Sequence, residues 1–501
     1  GKYCFPSCYS FEISDSVMET ITPFLDSMAA SSLINGMRKS FATGKTKNYD
    51  WRAHQLKSIV KMCDDNEKEI VAALASDLGK PAPESILYEI CILKNSCSFM
   101  LNNLKILMKP EKVKVPLLMR PSSAEIVAEP LGVVLVISTW NYPFLLSLDP
   151  VLGAIAAGNV VVLKPSEHAP ATSSLIAMLV KAYLDTSCVA VVEGGVDETT
   201  TLLCQKWDKI FYTGSARVGK IILASAAKHL TPVVLELGGK SPVIVDSDVD
   251  LLVTARRIIS SKWGCNSGQT CVSPDYILTT KEIALKLVDN LGKEIERFFG
   301  KDVGGSKNMS RIVNAANFGR LEKLLDDEKV SEKIVYGGHK NKDDLRISPT
   351  ILLDVPPDSL MMNEEIFGPL LPIVIVEKVE DGFEYVGTRD KPLAAYLFSN
   401  REEMKKRFVE SVSAGGLVIN DVGVQTALPS LPFGGVGGSG MGSYHGKYSF
   451  DAFSHKKAVA YRSLSLDTPI RYPPYTERKV SILKALLLGD IWRFFRFLLG
   501  F

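Results

Sequence analysis

At 501 residues, 46% of them hydrophobic, the chain is long enough for two or three domains and a large buried core. Its 58 basic and 56 acidic residues leave a formal net charge of +2, and no basic stripe is interleaved with aromatics, so the footprint of a polyanion-binding protein is absent and nucleic acid is not an expected partner. Nine scattered cysteines (Cys4, Cys8, Cys63, Cys91, Cys97, Cys188, Cys204, Cys265, Cys271) include no CxxC pair, which points to a reducing, cytoplasmic setting without a disulfide framework, a zinc site or any other metal.

Gly1 to Ser16 lack the basic start and long apolar run of a signal peptide, and residues 1–17 read as an extension ahead of the fold. From about Met18 to Asn103 the chain reads as helices. In Trp51 to Ser76 the residues Leu56, Ile59, Val60, Ile70, Val71 and Leu74 recur at helical spacing, and Asp77-Leu-Gly79-Lys80-Pro81 supplies a stop. A second helical stretch covers Glu84 to Leu104. Lys112 to Ile126 alternates like strand and runs into a β-rich segment ending at Ile137.

From there strands and helices alternate. Val133 to Ile137, Val160 to Leu163, Val189 to Glu193, Lys209 to Thr213 and Val233 to Leu235 read as strands. Leu145 to Ala157, Thr172 to Leu184, Thr199 to Gln205 and Val218 to His229 read as the helices between them. Short, fully apolar strands separated by amphipathic helices describe a parallel sheet covered on both faces, an α/β fold of Rossmann-like type. A second α/β series follows: strands Pro242 to Val245, Tyr276 to Leu278, Thr350 to Leu353, Leu371 to Val376, Ala394 to Phe398 and Gly416 to Asn420, with helices Asp250 to Trp263, Glu282 to Phe298 and Arg401 to Ser411. The boundary near Glu236 rests on this pattern alone.

Asn266-Ser-Gly-Gln-Thr-Cys271-Val-Ser-Pro-Asp275 holds a cysteine among turn-forming polar residues with no apolar periodicity, unlike the other eight, which read as small buried hydrophobes. A thiol needs only modest activation to become a nucleophile, and Glu236, at the end of an apolar strand, is a candidate base. By spacing alone this pair fits a thiol hydrolase as well as an oxidoreductase.

Gly214-Ser-Ala-Arg-Val-Gly219-Lys220 follows a strand and opens a helix, as a P-loop does, but Ile221 stands where a magnesium-binding Ser or Thr is needed. A P-loop nucleotide hydrolase is therefore the rival reading. A helix N-terminus with small residues suits the diphosphate of a dinucleotide too, although GxGxxG is missing. Lys164-Pro-Ser-Glu167, after the strand Val160 to Leu163, can grip the hydroxyls of a ribose or simply cap a helix. Gly434-Gly-Val-Gly-Gly-Ser-Gly440-Met-Gly442 reads as a tight turn whose relation to the chemistry only the fold can reveal.

Taken together, Trp140-Asn141-Tyr-Pro143, Lys164-Pro-Ser-Glu167, Phe211-Tyr-Thr-Gly-Ser215, Glu236-Leu-Gly-Gly-Lys240, Gly268-Gln-Thr-Cys271, Glu364-Glu-Ile-Phe-Gly-Pro369 and Pro432-Phe-Gly-Gly435 occur in one order. In that order the chain resembles the aldehyde dehydrogenase superfamily over residues 20–465, and Gly440 to His455 resembles its class 3 branch of fatty aldehyde and plant enzymes. Gly438 departs from the larger polar residue often found there.

The resemblance implies a Rossmann-like NAD(P)-binding domain (18–110 and 130–236), an α/β catalytic domain (237–440), a small β bridging, or oligomerisation, element (111–129 and 441–469) and an amphipathic tail (470–501). It implies a homodimer that detoxifies medium- and long-chain aliphatic or aromatic aldehydes under stress, oxidising them to acids with NAD, and NADP as an alternative. Cys271 would attack the aldehyde carbon. Asn141 and the Cys271 N–H would hold the oxyanion, each donor worth ~2.7–4 kcal/mol. Glu236 would activate the water that hydrolyses the thioester. Lys164 and Glu167 would meet the adenosine ribose, Gly214, Ser215 and Gly219 the diphosphate, and Glu365, Phe367 and Trp140 the nicotinamide end. Glu167 would disfavour a 2′-phosphate. Cys265 could form a reversible disulfide with Cys271. A catalytically silent relative is the remaining alternative.

In the tail, Val480 to Phe501 places Ser481, Ala485, Gly489, Arg493, Arg496 and Gly500 on one helical stripe with Leu, Ile, Trp and Phe around the rest. Lys484, Asp490 and the arginines make a poor membrane span. The wide apolar face with cationic edges fits peripheral membrane contact, and it fits a helix docked on the subunit as well.

Overall fold

The computed structural model describes residues 25–115, 122–302, 304–465 and 467–499. The extension 1–17 with Cys4 and Cys8, the expected helix start at Met18, part of the 111–129 segment, and Gly500 and Phe501 lie outside the described residues.

Three larger sheets, beside a two-stranded ribbon of Lys340–Asn341 and Arg346–Ile347, organise the described residues. The first runs, in spatial order, Gly440–Met441, Val233–Glu236, Lys209–Thr213, Val133–Ile137, Val160–Lys164 and Val189–Val191. Its successive pairs are parallel except at the Gly440–Met441 edge, where Gly440 faces Glu236 antiparallel. Val133–Ile137 is buried along its whole length because helices cover both faces, and the chain builds outward from it first on one side, through Val160–Lys164, and then on the other, through Lys209–Thr213. Such a switch point is where open α/β sheets bind ligands, beyond the carboxyl ends of the strands.

The second sheet has the order Ile334–Tyr336, Thr350–Leu353, Leu370–Ile375, Tyr276–Thr279, Pro242–Val245, Ala394–Phe398, Gly416–Ile419, parallel but for the antiparallel Ile334–Tyr336 edge. The third is antiparallel: Glu111–Val113, Ser123–Pro130 and Ser454–Tyr461, the last pairing along its full length from Ser454 opposite Pro130 to Tyr461 opposite Ser123.

The helical region departs from its expected form in two places. Trp51 to Ser76 is two helices, Tyr49–Asp65 and Glu67–Leu78, because Asn66 leaves helical backbone (φ −127°) and its side-chain amide donates to Met62 O at 2.9 Å. The stretch from Glu84 onward includes a π-helical turn, Ile86–Cys91, ahead of Ile92–Leu107. A π-turn rotates the side chains that follow, and it often marks a functional site.

The tail is likewise two helices, Glu477–Leu487 and Ile491–Leu499, not one. Gly489 adopts φ +69°, Asp490 N–H reaches back to Ala485 O at 2.9 Å, and Asp490 then caps the next helix through Arg493 N. That reversal, which a glycine makes without steric cost, divides the expected stripe between two axes. Ile482 and Ala485 are buried, whereas Trp492, Phe495, Leu487 and Leu488 are exposed. No helix among the described residues is long and apolar enough to cross a membrane.

Candidate active site

The loop carrying Cys271 begins where the helix Leu251–Lys262 ends. Asn266, Ser267 and Gly268 all have positive φ (49°, 49° and 78°), a conformation that costs non-glycine residues energy and persists only where the surroundings hold it. They do so here. Asn266 N donates to Glu84 Oε1 at 2.8 Å, Ser267 Oγ to Ser310 O at 2.6 Å, and Gln269 Nε2 to Arg311 O at 2.9 Å, while Gln269 Oε1 accepts from Val313 N at 3.0 Å. At Gly268 a Cβ would sit 2.2 Å from Gly368 O, so the loop's approach to the Glu364 to Pro369 segment requires glycine.

Asn141 joins this loop from the opposite side. Its Nδ2 donates to Gln269 O at 3.1 Å, its backbone O accepts from Asn266 Nδ2 at 2.9 Å and from Lys80 Nζ at 2.8 Å, and its Oδ1 is buried without a partner. Lys80 also forms a fully buried ion pair with Glu89, which sits on the π-turn and accepts from Phe144 N and Leu145 N at 2.9 and 3.1 Å, where the helix Leu145–Ala157 begins. The Lys80 ammonium lies 3.7 Å from the Tyr142 ring centroid. One buried pair thus orients Asn141 and anchors a helix start.

Lys80→Met would strand the Glu89 carboxylate. The expected cost is about 3–5 kcal/mol, read as a fall in the denaturant-unfolding midpoint; an unchanged midpoint would show that the pair is structurally idle.

Glu236 ends the strand Val233–Glu236 and is buried, with Oε1 unpartnered; burial pushes its carboxyl well above the usual carboxylate range. Burial also pushes the Cys271 thiol up, and the nearby Glu236 and Glu365 carboxylates add to this, opposed by the backbone N–H groups of Cys271 and Val272. The resting thiol is therefore protonated and must give up its proton to react. Glu365, pushed up to about 7 by burial, accepts from Gly239 N at 3.0 Å.

The segment bearing Glu365 and Phe367 is fastened by residues that sequence reading passed over. Arg320 donates to Glu364 Oε1 at 3.0 Å and to Ile366 O at 2.6 Å; Lys240, paired with Asp275, donates to Glu364 O at 2.9 Å; Asp275 Oδ1 accepts from Ile366 N at 2.9 Å. Phe367, at φ 48°, meets Trp140 edge to face with centroids 5.4 Å apart. Lys80 and Glu89 were legible only as a helix stop and one helical residue among many. Arg320 stands on a helix, Ala315–Leu325, for which no expectation was formed.

Among the nucleotide candidates, Lys164 is buried at the carboxyl end of Val160–Lys164 and donates to Glu167 Oε2 at 2.8 Å. Burial pushes Glu167 up, but the Lys164 hydrogen bond and charge outweigh it and hold the carboxyl below its ordinary value. Helix capping does not employ Glu167. The next helix, Pro170–Tyr183, starts later and is capped by Asp77, which accepts from Ala171 N and Thr172 N at 3.0 and 2.8 Å.

Ser215 caps the helix Ala216–Ala227, its Oγ accepting from Val218 N at 3.4 Å. That early start removes the basis for a P-loop. Ala216 to Gly219 are already helical, Gly214 N is bonded to Glu236 O at 3.0 Å, and Ile221 is exposed, so no loop is left to wrap a triphosphate. Gly219 faces Leu237, where a Cβ would come within 2.9 Å, and serves close packing of this helix on the sheet.

Cys271 also borders a cavity of about 520 Å³ whose other walls include Tyr142, Leu145, Phe298, Phe433 and Tyr444; Glu236, Glu365 and Asn141 are not part of its wall. The volume suits a small organic ligand. Cys265 lines the same cavity as a free thiol pushed up to about 12 by burial. Cys271 thus borders an apolar chamber and feels two carboxylates, Glu365 and the buried Glu236 at the carboxyl end of the first sheet.

The Aldehyde dehydrogenase family profile matches residues 15–459. The sequence is 62% identical over 474 residues to aldehyde dehydrogenase family 3 member H1 of Arabidopsis thaliana, covering 95% of this chain and 98% of the relative. It is 46% identical over 446 residues to the dimeric, NADP-preferring aldehyde dehydrogenase of Rattus norvegicus, covering 89% of this chain and 97% of that one. The solved substrate-bound state of Staphylococcus aureus AldH superposes with a TM-score of 0.88 at 41% identity, covering 91% of this chain and 99% of that chain. Sequence and fold are thus shared over nearly the whole length, and the chain belongs to the aldehyde dehydrogenase family, whose NAD(P)-dependent oxidation of aldehydes it carries out.

Proposed function

We propose that Cys271 is the nucleophile of this reaction, that Asn141 Nδ2 and the Cys271 N–H hold the oxyanion, and that Glu236 is the base for hydrolysis. The observation that carries the reading is the position of Cys271, which borders a largely apolar cavity and lies near the buried Glu236 and the half-buried Glu365. Attack by sulfur would form the C–S bond as the thiol proton passes to water, and the aldehyde oxygen would become an oxyanion for the Asn141 Nδ2 and Cys271 N–H donors, which need no reorganisation to receive it. Glu236, destabilised as an anion by burial, takes a proton from the water that cleaves the thioester, releasing the acid and restoring the thiol.

The residues fit a nicotinamide dinucleotide: Glu236 Oε1 and Asn141 Oδ1 are buried polar atoms left without partners, and both residues lie at or just past the carboxyl ends of strands in the first sheet. Lys164 and Glu167 would hold the adenosine ribose, Ser215 with Gly214 the diphosphate at a helix N-terminus, and Glu365, Phe367 and Trp140 the nicotinamide end. When bound, NAD(P)+ supplies the two-electron acceptor that makes oxidation of the aldehyde carbon possible.

The substrates proposed are medium- and long-chain aliphatic or aromatic aldehydes, in keeping with the apolar cavity. A panel of these, followed by NADH and NADPH formation, tests the proposal; turnover confined to short polar aldehydes would overturn it. Glu167→Gln is expected to lower KM for NADP about tenfold or more relative to NAD, since the carboxylate opposes a 2′-phosphate. An unchanged ratio would place cofactor selection elsewhere.

The three sheets are proposed as cofactor, catalytic and bridging units, with the unpaired edge of Ser454–Tyr461 available to a second copy in a homodimer. Trp492 and Phe495, exposed beside Arg493 and Arg496, favour membrane-surface contact by the second tail helix. Truncation after Pro474 is expected to abolish flotation with vesicles containing anionic lipid while leaving the enzyme active; lost activity with undiminished flotation would assign the tail to the subunit.

A further inference from the structure

The cavity bordered by Cys271 is largely apolar; its charged wall residues are Arg256, Arg257, Asp421 and Asp149, and of these Asp149 is the buried one. Asp149, one turn beyond Leu145 on the helix Leu145–Ala157, contributes to its wall while only 3% exposed, and its Oδ2 has no hydrogen-bond partner. Ser96 is the hydrogen-bonding neighbour of this carboxyl, and His445 Nε2 lies 3.9 Å from Oδ2. His445 also borders the cavity, stacked on Phe433 with centroids 4.9 Å apart.

Burial pushes Asp149 up to about 6 and His445 down to about 4, so near neutral pH the carboxylate is ionised while the imidazole is uncharged. The pair does not neutralise itself. Ser96 satisfies part of this carboxyl, but the buried Oδ2 has no counter-charge and no donor, which is unfavourable, and a plain hydrocarbon chain supplies neither. The arginines of the same cavity are engaged elsewhere: Arg256 with Glu294 at 2.7 Å, and Arg257 with Asn420 O.

We infer that Asp149, with His445 beside it, is a specificity-determining subsite for a hydroxyl group carried by the aldehyde at a distance from its reacting carbon. The arginine side chains bordering the cavity favour a neutral hydroxyl over an ammonium group as the donor. Asp149 takes no part in the bond changes at Cys271; it selects among substrates by leaving a buried charge unpaired when the hydroxyl is missing. The inference rests on the reading of this cavity as the aldehyde site.

The test compares kcat/KM within two matched pairs, octanal against ω-hydroxyoctanal and para-methylbenzaldehyde against para-(hydroxymethyl)benzaldehyde, in the full-length wild type, Asp149→Leu and Asp149→Asn. The wild type is expected to favour the hydroxylated member of at least one pair by about 10–100-fold. Asp149→Leu should bring that ratio to about one, and Asp149→Asn, which keeps an acceptor, should leave an intermediate value. Should the leucine variant fail to fold, the asparagine variant and His445→Phe carry the comparison. Equal kcat/KM within both pairs in the wild type, or a preference that survives loss of the carboxylate, would overturn the inference. Failure of the underlying reading looks different: turnover would then persist in Cys271→Ala.

Discussion

Cys271→Ala is expected to lower kcat for aldehyde oxidation by about 10⁴–10⁶-fold, because the step that makes the bond to carbon has no substitute nucleophile. The same variant should bind NADH with affinity close to wild type, read by the quenching and energy transfer of protein fluorescence, since the side chain removed borders the cavity and is distinct from the residues that would meet the dinucleotide. Cys265, on the same cavity wall, is the obvious candidate for rescue, and its thiol is pushed up by burial as that of Cys271 is. NADH formation at the wild-type rate in the alanine variant would refute the mechanism. Residual activity that disappears in the double variant with Cys265→Ser would reassign the nucleophile to Cys265.

Glu236→Gln separates the two halves of the reaction. Steady-state turnover should fall by about 10²–10⁴-fold, the range for removing a positioned base, while a rapid burst of NADH close to one equivalent per active site remains. The stalled thioester should then be visible as an acyl adduct in the intact-protein mass. Burial raises the Glu236 carboxyl pKa, so its base form, the anion, is depleted as pH falls through that raised value. The acid limb of the wild-type kcat profile should accordingly lie well above the ordinary carboxylate range, and the glutamine variant should lack it. If the burst vanished together with turnover, Glu236 would belong to the first half of the reaction instead.

Both residues proposed to carry this chemistry stand out in the chain because each breaks a local pattern: Cys271 lies among polar turn formers, and Glu236 terminates an apolar strand. The strands were legible for a related reason. Val133–Ile137, Lys209–Thr213 and Pro242–Val245 fall at their expected ends because each is a short apolar run cut off by a polar residue or a glycine. What could not be read is held together across long sequence distances. The Lys80–Glu89 pair reaches Asn141 by way of a π-turn that has no hydrophobic period of its own, and the two residues of Gly440–Met441 are too few to show alternation.

Spacing misled in three instructive places. The P-loop pattern at Gly214 is met by residue identities but not by backbone, since the helix begins at Ala216. Asn66 interrupts a helical pattern whose apolar residues continue on both sides of it, because periodicity reports which faces are buried and says little about whether the axis is continuous. At Gly489 the same ambiguity let one stripe be drawn through two helices.

The antiparallel pairing of Gly440 with Glu236 has a consequence for biosynthesis. It closes a loop of roughly 200 residues, a contact whose entropic cost is met only when most of the chain has been made. A nascent chain still short of Gly440 can fold the parallel strands of its first sheet, yet the outer edge of Val233–Glu236 stays open to solvent beside the carboxylate. The low-dielectric setting that raises the Glu236 carboxyl is thus completed late, by the passage of a glycine-rich segment from near the end of the chain, and the base role proposed for Glu236 would be available only in the finished molecule.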